Sequence, residues 1–146
     1  MKKHALLFIP MTLLLTFCSN DSKTISQYKS LMEYDYSDIE HLKIEWKDIL
    51  NKDNSYYVYI YSENCGHCRN IKLDVLNYAL SNEGTMYFKK YDKEIPIYDS
   101  TEDTLGTDDY RKIGILGTPT LLGIDNHILV SNITGEEPIL QTLYKE

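Results

Sequence analysis

Tyr56-Tyr57-Val58-Tyr59-Ile60-Tyr61-Ser62-Glu63-Asn64-Cys65-Gly66-His67-Cys68-Arg69-Asn70-Ile71-Lys72 decides the reading of this chain. It opens with an unbroken apolar and aromatic run over Tyr56–Tyr61, the pattern of a strand buried on both faces. After a polar corner come two cysteines separated by two residues. Ile71, Val75, Tyr78 and Ala79 then recur at helical spacing and predict a helix beginning near Cys65. Two thiols on the first turn of a helix can close a small disulfide. One sulfur can be exposed while the other waits behind it, an arrangement that favours thiol–disulfide exchange.

Upstream, Asn51–Ser55 reads as a turn. Ser37 or Asp38 is a candidate cap for a helix running to about Leu50, with Ile39, Leu42, Trp46, Ile49 and Leu50 on one face. A short strand is expected near Tyr34–Tyr36. Downstream, the Cys65 helix stops at Ser81-Asn82-Glu83-Gly84, and Thr85–Tyr91 is a second strand. Asp92–Thr107 is acidic and irregular, and Asp108–Ile113 is a short helix ending at Gly114. Part of Ile115–Ile124 forms a strand, Asp125-Asn126 a turn, and His127–Ile133 the returning strand. Gly135 breaks the chain before a final helix over Glu136–Tyr144. Its two leading acids and Pro138 suit a helix start.

The 146 residues fit one domain plus a leader. Met1-Lys2-Lys3-His4 is a charged n-region. Ala5–Phe17, 13 residues interrupted by Pro10, is short for a membrane span and suits a signal-peptide core. The run Leu15-Thr16-Phe17-Cys18 resembles a bacterial lipoprotein leader, which implies that Cys18 becomes the first mature residue and carries the lipid. Phe17 departs from the small residue usual there, so an ordinary signal peptide or an uncleaved anchor stays open. All three readings export the domain, to the outer face of the cytoplasmic membrane or beyond. The expected organisation is a signal peptide at 1–17, a tether at 18–37 and a domain at 38–146. Without the leader, 13 basic residues face 22 acidic ones, a net charge of −9. Such a surface repels nucleic acid, and no nucleic-acid partner is expected. With Cys18 acylated, Cys65 and Cys68 are the remaining thiols, and one adjacent pair in an exported protein reads as reactive rather than structural.

The order α-β-α-β-α-β-β-α, with Cys65-Gly66-His67-Cys68 after the first core strand and Gly117-Thr118-Pro119-Thr120 before the hairpin, resembles the thioredoxin superfamily over about residues 38–146. The resemblance implies an α/β thioredoxin fold: a central mixed β-sheet flanked by helices, here with an extra N-terminal helix. It implies a cis bond at Thr118–Pro119 beside the cysteines, with Thr118 and Pro119 positioning an extended substrate. Gly-His between the cysteines resembles the protein disulfide isomerase form of the motif. Similar exported bacterial lipoproteins are thiol-disulfide oxidoreductases, some accompanying bacteriocin export or cytochrome maturation. Two positions depart from the family. A buried acid usually stands six residues before the first cysteine, where this chain has Tyr59, a poor base at neutral pH. Trp often precedes the first cysteine, where this chain has Asn64.

Cys65, at the helix start, is expected to be the nucleophile, and Cys68, one turn in, the resolving thiol, the two closing a Cys65–Cys68 disulfide. His67, as a cation or donor, is expected to stabilise the Cys65 thiolate and so raise the reduction potential, and Arg69 adds positive charge nearby. A structural zinc needs about four ligands. Cys65 and Cys68 supply two, but His67 cannot easily turn to the same metal, His127 lies in a hairpin and His41 reads as a surface residue. Arg69 stands where a haem-attachment motif needs His. The acidic segment Asp92–Asp109 lacks the spacing of a calcium loop and reads as a solvated insertion bordering the site. No metal or cofactor is therefore expected. Protein or peptide thiols and disulfides are the expected partners, with a membrane electron-donor protein as a further candidate and a monomer as the expected state. The direction of exchange stays open. So does a reading from another class, a non-catalytic thioredoxin-like accessory or chaperone lipoprotein, which Tyr59 and Asn64 motivate.

Overall fold

The structure, a computed structural model, describes residues 34–82 and 85–145. Residues 1–17, Cys18 and most of the expected tether lie outside the described residues. The strands are β1 Ser55–Tyr61, β2 Met86–Lys90, β3 Thr120–Asp125 and β4 Ile128–Thr134. They form one sheet in the order β2-β1-β3-β4. β2 lies parallel to β1, while β3 pairs antiparallel with both β1 and β4. The helices are α1 Gly66–Asn70, α2 Lys72–Ser81 and α3 Glu136–Leu143. This is the thioredoxin-like architecture that the resemblance implied.

β1 is one of the two interior strands, and its period of two feeds both faces. Tyr57, Tyr59 and Tyr61 turn toward the helices, where they join Cys68, Val75, Leu76 and Ile139. Tyr56, Val58 and Ile60 point to the opposite face and meet Trp46, Ile49 and Ile113. Fully burying large apolar side chains contributes about 1.5–3 kcal/mol each, so this one strand stabilises both cores. Tyr59 packs edge-on to Phe88 of β2 with ring centroids 5.8 Å apart. Tyr36 stacks on Tyr61 at 3.7 Å. Tyr36 falls in the expected tether, yet it is buried in the helix-side core.

The extra N-terminal helix expected over Asp38–Leu50 is absent. The segment forms two 3-10 turns, Glu40–Leu42 and Trp46–Asp48, joined by an extended stretch. There Lys43 bridges to Phe88, and the Ile44 amide donates to the Phe88 carbonyl at 3.0 Å. The physical reason is where the apolar residues go. Ile39 and Leu42 enter the helix-side core, while Ile44, Trp46, Ile49 and Leu50 enter the other. The chain crosses the β2 edge between the two groups, and a single amphipathic helix serves only one core. No strand forms at Tyr34–Tyr36.

Three smaller differences follow. The helix expected from Cys65 is broken at Ile71 (φ −103°, ψ 7°) into α1 and α2. The hairpin turn is Asn126-His127 rather than Asp125-Asn126. Both residues have positive φ, 46° and 68°, as a two-residue hairpin loop of this kind requires. Of the short helix expected over Asp108–Ile113, only a 3-10 turn at Tyr110–Lys112 forms.

Candidate active site

The corner between β1 and α1 sets Cys65 at the helix N-cap in an extended conformation (φ −88°, ψ 119°). Its Sγ accepts the backbone amide of Cys68 at 3.1 Å. Amides at a helix start have no partner within the helix, so the sulfur fills a vacant acceptor position. From the far side, the Cys65 thiol donates to the Thr118 carbonyl at 3.2 Å. The Thr118–Pro119 bond is cis, as expected, with Pro119 buried and Thr118 half-buried. Both thiols are free.

The loop carrying Thr118 is held from two sides. The buried Thr120 hydroxyl donates to the Gly117 carbonyl at 2.7 Å and meets the Thr134 hydroxyl at 2.8 Å. The Gly135 amide donates to the Pro119 carbonyl at 3.0 Å. Thr120 and Thr134 are cross-strand partners in β3 and β4, so sheet register aligns the two hydroxyls.

The two thiols are driven apart electrostatically. Burial disfavours the Cys65 thiolate. Hydrogen bonds from the Cys68 thiol, from the Thr118 hydroxyl and from the Cys68 and His67 amides outweigh that cost and lower its pKa. Burial first, and the hydrogen bond to Cys65 second, push the Cys68 thiol up to about 11. Cys68 is only 1% exposed. One accessible thiol that ionises easily therefore lies over a buried thiol that keeps its proton.

Tyr59 lies on the buried side of this pair. Burial, then the neighbouring Tyr36 and Cys68, raise its phenol far above the ordinary range, so it cannot serve as a base near neutrality. Tyr36 is raised for the same leading reason. The two hydroxyls lie close enough to influence one another. Neither reaches hydrogen-bond geometry with a partner among the described residues. A cleft of about 190 Å³, lined by Asp35, Tyr36, Ser62, Glu63, Cys68 and Arg69, opens beside Cys68. Glu63 itself pairs with Lys90 at 2.8 Å.

His67 occupies a different place from the one expected of a thiolate stabiliser. Its side chain is 74% exposed, and its Nδ1 meets Glu136 Oε1 of α3 at 2.5 Å. Only its backbone amide supports the Cys65 sulfur. Asn70 donates to the same Glu136 oxygen at 3.0 Å. The acidic segment divides. Its start borders the site, where Ser62, Tyr91, Ile97, Gly117 and Thr118 line a cavity of about 270 Å³. Its end runs to the hairpin, where Gly106 and Thr107 bond to Leu129. His127 Nδ1 meets the Leu50 carbonyl at 2.7 Å, and His41 is exposed on its 3-10 turn, so neither joins the cysteines. A larger hollow of about 810 Å³, between Tyr57, Pro138 and Tyr144, contains neither cysteine.

Sequence reasoning missed Glu136, Asn70 and Thr134. Asn70 follows His67 by three residues and so shares its helix face, a signal that was available. Nothing local marks Glu136 or Thr134, because both reach the site through tertiary packing.

No protein-family model matches the chain, and no curated protein matches it in sequence. Solved structures with a similar fold include the oxidised thioredoxin of Plasmodium falciparum. It is 22% identical over 71% of this chain and 96% of that one, with a TM-score of 0.47. Thioredoxin f2 of Chlamydomonas reinhardtii is 16% identical over 72% of this chain and 97% of that one, with a TM-score of 0.43.

Proposed function

We propose that this chain is a thiol-disulfide oxidoreductase acting on protein or peptide thiols outside the cytoplasm, tethered to the membrane through Cys18. The observation that carries the reading is the polarised thiol pair: Cys65 accessible and easily ionised, Cys68 buried and protonated, beside the Thr118–Pro119 loop. The Cys65 thiolate attacks one sulfur of a substrate disulfide. A Cys65–substrate disulfide forms and the first substrate thiolate leaves. Cys68 then loses its proton and attacks the Cys65 sulfur. The second substrate thiolate leaves, and the chain is oxidised to a Cys65–Cys68 disulfide while the substrate gains two electrons. Run in reverse, the same steps oxidise a substrate dithiol. A dithiol donor or a disulfide acceptor resets the pair. The export and lipid attachment are supported by the Met1–Cys18 leader.

The test is trapping. A Cys68→Ser chain should accumulate mixed disulfides through Cys65, and a Cys65→Ser chain should accumulate none. Full biological function in the double serine variant would instead support the non-catalytic accessory reading. The reduction potential sorts direction. A value near about −180 mV suits oxidation or isomerisation, and one near about −270 mV suits a reductase.

A further inference from the structure

The residue between the two cysteines is not left free. His67 and Asn70 lie three apart on α1, and both meet one oxygen of Glu136, the first residue of α3. We propose that Glu136 is a positioning residue that holds the His67 imidazole away from the Cys65 sulfur, making the dithiol pair a stronger reductant than its Cys-Gly-His-Cys motif alone dictates. This rests on the oxidoreductase reading and refines its direction.

The chemistry runs as follows. A carboxylate only accepts hydrogen bonds, so the Nδ1 facing Glu136 carries a proton. The hydrogen bond from His67, then that from Asn70, keeps the Glu136 carboxyl ionised below the usual range, so the latch holds through neutral pH. Asn70 takes no part in the thiol chemistry and fixes the carboxylate in place. The imidazole is largely exposed, and its donor contact with Glu136 sets where it points. His67 is two residues from Cys65, and a histidine ring set free beside a cysteine donates to or charges its thiolate. Stabilising that thiolate stabilises the reduced form and raises the potential. The latch withholds this effect. As a stability device alone, an exposed ion pair contributes little.

The experiment is a double-mutant cycle of Glu136→Ala and His67→Ala on the reduced full chain. Residue-resolved iodoacetamide labelling against pH reads Cys65, with buried Cys68 as the slow internal reference. Equilibration with glutathione reads the potential. Glu136→Ala is expected to lower the midpoint of Cys65 labelling and to shift the glutathione equilibrium several-fold toward the dithiol. In the His67→Ala background the same change should move neither. An unchanged Cys65 midpoint in Glu136→Ala overturns the proposal. So does an equal shift with and without His67, which would be the direct effect of removing a negative charge. Labelling of Cys65 needs no substrate turnover. A chain that titrates and equilibrates with glutathione as expected, but exchanges no disulfide with protein or peptide substrates, would therefore reject the oxidoreductase reading and leave the latch standing. A Glu136→Ala change that only lowers thermal stability would mark the contact as structural.

Discussion

The Cys65 thiol and the Thr118 carbonyl meet at 3.2 Å although 53 residues separate them in sequence. The contact joins the helix-start corner to the loop entering β3, so the reactive sulfur is positioned by two elements at once. The polarity of the pair gives the first prediction. At pH 7–8 the reduced chain should alkylate at Cys65 alone, and labelling of Cys68 should rise only as pH approaches about 11. The raised Cys68 pKa also fixes a sign for stability. The folded state keeps a proton that the unfolded thiol releases, so the reduced chain should lose stability between about pH 9 and about 11. Cys68→Ser should flatten that part of the profile. Equal labelling of both thiols at neutral pH would contradict the assignment of roles.

Tyr59 supplies the second prediction. Its hydroxyl is fully buried and has no hydrogen-bond partner among the described residues. An unsatisfied buried hydroxyl costs about 1–3 kcal/mol. Tyr59→Phe keeps the ring against Phe88 and removes the cost, so the variant should be more stable by about 1 kcal/mol. The readout is a higher denaturant midpoint at unchanged slope. A lower midpoint would mean that the hydroxyl makes a favourable interaction in solution.

The third prediction concerns the loop. Thr120→Val removes the hydroxyl that links Gly117 to Thr134 while keeping the side-chain shape. Both half-buried partners lose a hydrogen bond, so the variant should lose about 1 kcal/mol. Because Thr118 sits in the loop so released, mixed-disulfide formation at Cys65 should also slow. Unfolding curves and single-turnover trapping, done side by side, separate the two effects. Slower trapping without loss of stability would mean that the buried Thr120 hydroxyl sets the conformation of the Thr118 loop without adding to global stability.

Much of this arrangement was legible in the sequence because local pattern and tertiary demand agree there. Tyr56–Tyr61 reads as a doubly buried strand, and it is one of the two interior strands. Thr118–Pro119 was expected beside Cys65 and lies there. The segment 38–50 misled because its apolar residues sit at helical spacing yet serve two cores on opposite sides of the sheet. Spacing reports a period and not a destination. The partner of His67 was invisible for a similar reason. A carboxylate 69 residues away becomes a neighbour only when α3 packs beside α1.

Asp109 and Arg111 give the last prediction. Arg111 donates to Asp109 from both its backbone amide and its guanidinium, at 3.1 Å and at 2.8 Å for each of two side-chain nitrogens. The guanidinium bonds first, then the amide, pull the carboxyl down to about 2. A depressed carboxyl contributes stability above its unfolded value, near 3.8, and loses it as pH falls toward about 2. Asp109→Asn keeps an acceptor for the amide but removes the titration. The wild-type chain should therefore lose stability relative to Asp109→Asn as pH drops through this window, and the two should run parallel above it. The pair is exposed, so the gap should shrink with added salt. Parallel acid-unfolding curves throughout would mean that Arg111 leaves the carboxylate in solution, and that the 3-10 turn at Tyr110–Lys112 is held by its backbone hydrogen bonds.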